Sequence, residues 1–168
     1  VFSGGILADE MGMGKTIQMI SLLVSKKIEG STLILCPAVA LYQWYNEIKT
    51  RTTKDLLKVL IFHGANRITN IKDLLEFDVI ITTYSIVEAG FRKQTYGFKR
   101  KGELIKEKSI LHSYEWSRVI LDEAHAIKDR SCNTARAVFA LKRRKQWALS
   151  GTPLQNRVGE VIKIPNNL

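Results

Sequence analysis

At 168 residues, with hydrophobic side chains at 45% and charged ones at 25%, the chain is long enough for one domain with a real core, and its composition is ordinary for an α/β protein. No apolar run approaches the ~20 residues of a membrane-spanning helix, and Cys36 and Cys132 lie in no metal-ligand spacing and read as reduced thiols of an intracellular protein. The 26 Lys and Arg against 16 Asp and Glu leave a net charge of +10, which suits a polyanionic partner such as nucleic acid but is equally compatible with a basic, solvated surface.

The sequence opens at Val1 rather than Met, inside an apolar run, which predicts a piece of a longer chain. Gly4-Gly5-Ile6-Leu7-Ala8 predicts a strand, Asp9-Glu10-Met11-Gly12-Met13-Gly14 a glycine-rich turn, and Lys15-Thr16 the entry to a helix. Small residues let backbone N–H groups and the positive end of the new helix face a polyphosphate. Lys15 adds a mobile charge for the outer phosphates, and Thr16 offers a hydroxyl to Mg2+. The general phosphate-loop pattern has glycine where this chain has Asp9, so taken alone the match is imperfect.

Ile17, Ile20, Val24 and Ile28 recur at helical spacing and predict a helix ended by Gly30-Ser31. Thr32–Cys36 reads as a strand buried on both faces and stopped by Pro37. Leu41, Trp44, Tyr45 and Ile48 fall at i, i+3, i+4 and i+7, so Trp44 and Tyr45 read as core rather than as base-stacking residues. Val59–Phe62 is a further strand, Ile68–Leu75 a short helix, and Val79–Thr83 and Arg118–Leu121 two more strands. Thr134–Leu141 reads as a helix and Trp147–Leu149 as a last strand.

One segment breaks the alternation. Between Glu88 and Glu115 (about 89–115), with those two glutamates left out, Arg92, Lys93, Lys99, Arg100, Lys101, Lys106 and Lys108 face only Glu103 and Glu107, which is about half of the net charge. Phe91, Tyr96 and Phe98 are interleaved with them. The segment reads as a surface insertion, suited either to a nucleic-acid backbone or to a loop that packs a few aromatics onto the domain.

Alternating short apolar strands and helices predict an α/β fold, a mostly parallel sheet with helices on both faces. Ligands of such sheets sit beyond the carboxyl ends of the strands. The glycine-rich turn, Asp122-Glu123-Ala124-His125 and Ser150-Gly151-Thr152-Pro153 each follow directly after a strand, which predicts one composite site. Phosphoryl transfer needs a metal to neutralise phosphate oxygens and a group to position the attacking water. Asp122, nearest the strand end, is the candidate Mg2+ partner, and Glu123 the candidate general base.

The ordered set Ala8–Thr16, Cys36-Pro37 with Trp44 and Glu47, Ile81-Thr82-Thr83-Tyr84, Asp122-Glu123-Ala124-His125 and Leu149-Ser150-Gly151-Thr152-Pro153-Leu154-Gln155-Asn156 resembles the SWI/SNF-type ATPases of helicase superfamily two. Within them, the basic segment and Arg130–Ala137 look most like the fungal RING-containing ATPases of nucleotide excision repair. The resemblance covers nearly everything from Gly4 to Glu160 and accounts for Asp9, because this family writes its loop as Asp-Glu-x-Gly-x-Gly-Lys-Thr. It implies a RecA-like first lobe over residues 1–160 that binds ATP and Mg2+ and, with a second lobe, tracks along double-stranded DNA in the nucleus, with repair or chromatin proteins as partners. By motif, Lys15 and Thr16 would hold phosphates and metal, and Asp122 and Glu123 would serve hydrolysis. Ser150, Gly151 and Thr152 would couple the nucleotide to DNA, and Pro37, Thr82 and Thr83 would lie against its phosphates.

The resemblance also sets expectations about what is missing. The upstream segment with the adenine-reading glutamine and the second lobe with its arginine finger fall outside this sequence. Residues 161–168 diverge from the family, with Pro165 against a continuing helix, and a truncation, an altered reading frame and an unspliced remnant all fit. The complete protein is therefore expected to be a DNA-stimulated ATPase, and the isolated chain to have little or no turnover. Two rivals stand beside this reading: an RNA helicase lobe, which shares Asp-Glu-Ala-His but typically writes Ser-Ala-Thr for Ser-Gly-Thr-Pro, and a non-catalytic fragment that binds nucleotide, DNA or partner proteins.

Overall fold

Continuous apolar runs bounded by turn residues make strands that are buried on both faces, and helices must then cover both. A computed structural model of the chain describes residues 4–25, 28–65, 67–127 and 131–151 and has this arrangement. In chain order, β1 spans Gly4–Leu7, α1 Lys15–Ser25, β2 Thr32–Cys36, α2 Leu41–Arg51, β3 Val59–Ile61, α3 Ile71–Leu74, β4 Val79–Thr83 and α4 Tyr84–Thr95. A hairpin of β5 (Phe98–Arg100) and β6 (Glu103–Ile105) follows. Then come β7 (Glu115–Trp116), β8 (Arg118–Leu121), α5 (Asn133–Phe139), β9 (Lys142–Arg143) and β10 (Gln146–Leu149).

Six strands form one parallel sheet in the order β1-β10-β8-β2-β4-β3. Alternate residues of β2 serve opposite cores, as the two-residue period of a strand demands. Leu33 and Leu35 pack with Tyr84, Val87, Leu111, Trp116 and Val138 on the face covered by α4 and α5. Ile34 and Cys36 pack with Met19, Ile20, Leu23, Leu41, Trp44 and Ile48 on the face covered by α1 and α2. The register brings the carboxyl ends level: Leu7 pairs with Leu149, Ala148 with Leu121, Leu121 with Leu35, and Leu35 with Thr82. The turns that leave these strands therefore emerge along one edge.

Three elements differ from the sequence reading. The buried residues of α1 are Met19, Ile20 and Leu23, while Ile17 and Val24 are exposed, so the helix is rotated from the isoleucine stripe. The helix expected over Ile68–Leu75 is the short α3, whose amino end is capped by Asn70 accepting from Lys72 N–H at 3.0 Å. The largest departure is α4. The basic segment reads in sequence as a surface insertion, yet its first residues continue a helix that runs to Thr95. Thr83 caps that helix by accepting from Ile86 N–H at 3.4 Å, and Tyr84 and Val87 are buried beneath it. Arg92 and Lys93 in its last turn suit the negative end of the helix dipole. The hairpin beyond turns at Lys101 (φ 51°) and Gly102 (φ 89°), the left-handed pair of a tight two-residue connection. Residues 152–168, including the divergent tail at 161–168, lie outside the described residues.

Candidate functional site

The phosphate loop is built around two left-handed glycines. Gly12 (φ 84°) and Gly14 (φ 75°) hold a conformation that side chains adopt only with strain, and nothing lies within 4 Å of where a Cβ would stand on either. The loop from Glu10 to Gly14 is thus an exposed cradle of backbone, closed by Met13 N–H donating to Glu10 O at 3.3 Å. Its last residue opens directly into α1, where Gln18 N–H donates to Gly14 O at 3.0 Å. Lys15 folds back over the loop, donating from Nζ to Asp9 O at 2.8 Å and to Glu10 O at 3.0 Å.

Asp9, the residue that spoils the general motif, has a visible task. Its Oδ2 accepts from Gln18 Nε2 at 2.9 Å, and the same amide donates to Met13 O at 3.3 Å. One side chain of α1 thereby ties both ends of the loop together. Sequence reasoning missed Gln18; its signal was a polar residue three positions beyond Lys15, facing back across the turn.

Asp122 follows β8 directly and is held there by its backbone N–H donating to Leu35 O at 2.8 Å. Each oxygen of its carboxylate has a tether. Oδ2 accepts from the Trp44 indole Nε1 at 2.8 Å, and Oδ1 from Glu123 N–H at 3.0 Å. Burial raises the Asp122 carboxyl above its ordinary value; the Trp44 bond opposes this, the Glu123 charge adds to it, and the Glu123 N–H bond and the Lys15 charge pull it back. Tyr84 donates its hydroxyl to Asp122 O at 2.6 Å, and burial followed by the Asp122 charge pushes that phenol well up. The buried Cys36 thiol is likewise pushed up, to about 12, by burial and then by Asp122. Trp44, Tyr84 and Cys36 are all buried beside Asp122. The sequence reading placed Trp44 in the core, where it does lie, but had no means of seeing its polar end.

Glu123 has φ 49°, a left-handed conformation uncommon outside glycine and frequent where a side chain is aimed at a site. Its Oε2 lies 3.1 Å from His125 Nδ1, with both side chains partly exposed. The third stretch arrives from β10: Ser150 N–H donates to Leu7 O at 3.1 Å, which fixes the end of β10 beside the start of the loop. Gly151 then lies against the loop itself, its nearest neighbours being Met11 and Lys15. Thr152 lies outside the described residues.

The residues expected to meet DNA phosphates divide. Pro37 is half-buried and leads into the turn Ala38–Ala40, where Val39 is 92% exposed. Thr82 and Thr83 are buried, at 0% and 2% exposure. Thr82 donates its hydroxyl to Phe62 O at 2.9 Å, and Thr83 shares 2.9 Å with the Ser85 hydroxyl while capping α4. Both hydroxyls thus have partners within the chain. Their hydroxyls are spent inside the protein, because β4 is covered on both sides.

The profile of the SNF2-related domain matches residues 1–168. The chain belongs to the SNF2-related domain family. ATP-dependent helicase rhp16 of Schizosaccharomyces pombe is 51% identical over 163 residues, which cover 97% of this chain and 19% of that protein. DNA repair protein RAD5B of Arabidopsis thaliana is 31% identical over 194 residues, covering 96% of this chain and 14% of that protein. The SWI2/SNF2 ATPase core of Sulfolobus solfataricus, solved in complex with double-stranded DNA, shares the fold with a TM-score of 0.70 at 27% identity, over 96% of this chain and 30% of that one. The SNF2-related chain spans less than a third of each of these proteins and corresponds to the first RecA-like lobe of the ATPase core. The family is one of ATP users.

Proposed function

We propose that this SNF2-related lobe binds ATP with Mg2+ as the first half of a translocase that works on double-stranded DNA in the nucleus, within a repair or chromatin protein. What carries the reading is that the phosphate loop, Asp122 and Gly151 follow β1, β8 and β10, whose carboxyl ends the register makes level. The relatives, named an ATP-dependent helicase and a DNA repair protein, and the duplex bound to the Sulfolobus core support the same substrate class.

The residues present fit the nucleotide. Gly12 and Gly14 leave open space over an exposed backbone cradle at the head of α1, and Lys15 lies across it. The Lys15 ammonium donates to two loop carbonyls, and the outer phosphates would take their place. Thr16 and Asp122 would hold Mg2+, which neutralises phosphate oxygens when bound. Glu123 would take the proton from the attacking water, with His125 Nδ1 3.1 Å from its carboxylate to orient it. Gly151 would report the state of the loop to the duplex through Met11 and Lys15. Pro37 and the exposed turn after it would lie against duplex phosphates, a contact that positions without reading bases.

The arginine finger belongs to the second lobe, and losing such a residue costs on the order of 10³–10⁵ in turnover. The isolated chain would accordingly bind Mg-ATP but turn it over little or not at all. The complete protein, with both lobes, is the sample for the functional test. Its ATP hydrolysis should rise with duplex DNA and fail to rise with RNA; stimulation by RNA in preference to duplex DNA would overturn the reading.

A further inference from the structure

We infer that Trp44 is a positioning residue for the carboxylate of Asp122, an inference that rests on the metal-binding reading above and deepens it. Trp44 is 1% exposed on α2, and its single polar atom donates to Asp122 Oδ2 at 2.8 Å. A buried indole N–H needs a partner, but any carbonyl would serve that need. Here the partner is the carboxylate that the site depends on.

The geometry makes the bond directive. An ionised carboxylate offers about four lone-pair sites. Trp44 takes one on Oδ2 and Glu123 N–H takes one on Oδ1, so rotation of the group would break one bond or the other. The remaining lone pairs are thereby fixed relative to α2. Leu41 and Ile48 of that helix are buried with Met19, Ile20 and Leu23 of α1, the helix that begins at Lys15. Trp44 thus links the element carrying Lys15 and Thr16 to the strand end carrying Asp122. Groups that orient metal ligands in this way typically govern metal affinity by 10–100-fold.

Trp44→Phe keeps an aromatic ring and removes the N–H, and Asp122→Asn removes the charge while keeping an oxygen that can accept. Titration of the chain with ATP at increasing Mg2+ should show the half-saturating Mg2+ concentration raised about tenfold in Trp44→Phe. Binding of ATP in EDTA should be unchanged, and Trp44→Phe should add nothing in the Asp122→Asn background. A second measurement does not depend on the folding of that variant. In 15N-labelled wild-type protein the Trp44 indole N–H resonance should move when Mg2+ is added to the ATP-loaded chain. The Trp116 indole, which donates to Leu111 O at 2.9 Å, should stay. If Asp122→Asn raises the Mg2+ requirement while Trp44→Phe does not, or if the Trp44 resonance ignores Mg2+, Trp44 only packs and the inference is overturned with the site intact. If wild type and Asp122→Asn show the same Mg2+ dependence, the metal-binding reading fails and takes the inference with it.

Discussion

Gly151 stands so close to Met11 that a Cβ on it would lie 3.1 Å from Met11 Cγ and 4.0 Å from Lys15 Nζ. The end of β10 and the phosphate loop are therefore a single mechanical unit, although some 140 residues separate them in sequence. Gly151→Val places branched carbon where Met11 now sits. Met11 is 82% exposed and free to swing, so the fold should tolerate the change to within about 1 kcal/mol. The loop should not. Mg-ATP affinity is expected to fall about tenfold, ~1.4 kcal/mol, as read by calorimetry beside a thermal melt of the same variant.

The hairpin of β5 and β6 carries Lys99, Arg100 and Lys101 on its exposed strand and turn. If this basic segment touches the duplex, it does so through phosphates, whose neutralisation makes binding steeply salt-dependent. Replacing all three with Glu should reduce the slope of log affinity against log salt by about one for each phosphate that the hairpin no longer neutralises. Fluorescence anisotropy with a labelled duplex across a salt series reads the slope directly. An unchanged slope would mean that these charges serve only to solvate the surface.

His112 supplies a pH dependence. It is buried beside α5, its Nε2 donating to Ala137 O at 2.9 Å and its Nδ1 2.7 Å from the Ser109 hydroxyl. Because a carbonyl can only accept, the proton belongs on Nε2, and Ser109 donates to Nδ1. Burial lowers the imidazole from its ordinary 6.5, with the Ala137 carbonyl pulling the other way. The unfolded chain then binds more protons than the folded one just below pH 6.5, so the contribution of His112 is complete above that value and is lost as pH falls through the lower folded one. His112→Gln should melt below wild type at about pH 7.5, by roughly 1–3 kcal/mol for the buried bonds removed. The gap should narrow in melts at about pH 5.

Much of this was legible in the chain itself. Strands such as Thr32–Cys36 and Val79–Thr83 announce themselves by unbroken apolar runs, and their level ends follow from parallel pairing. That Lys15, Asp122, Glu123 and Gly151 come just beyond strand ends was legible too, because each motif follows an apolar run. Helix α4 was not, because Arg92 and Lys93 on its outer turn masked the spacing of Tyr84, Val87 and Phe91. Nor were the roles of Gln18, Trp44 and Tyr84, each of which acts through hydrogen bonds formed only after folding. Thr82 and Thr83 show the converse: hydroxyls suited to phosphates by type bond inside the protein, a pairing that only the fold reveals.

The central claim is that the cradle beneath Lys15 holds the phosphates of Mg-ATP. Calorimetric titration of the chain with ATP in the presence of Mg2+, run beside Lys15→Ala, tests it most directly. Saturable one-to-one binding by wild type, weakened by Lys15→Ala at least tenfold or about 1.4 kcal/mol, is the predicted result. Equal binding by both proteins, or none by wild type, would contradict it.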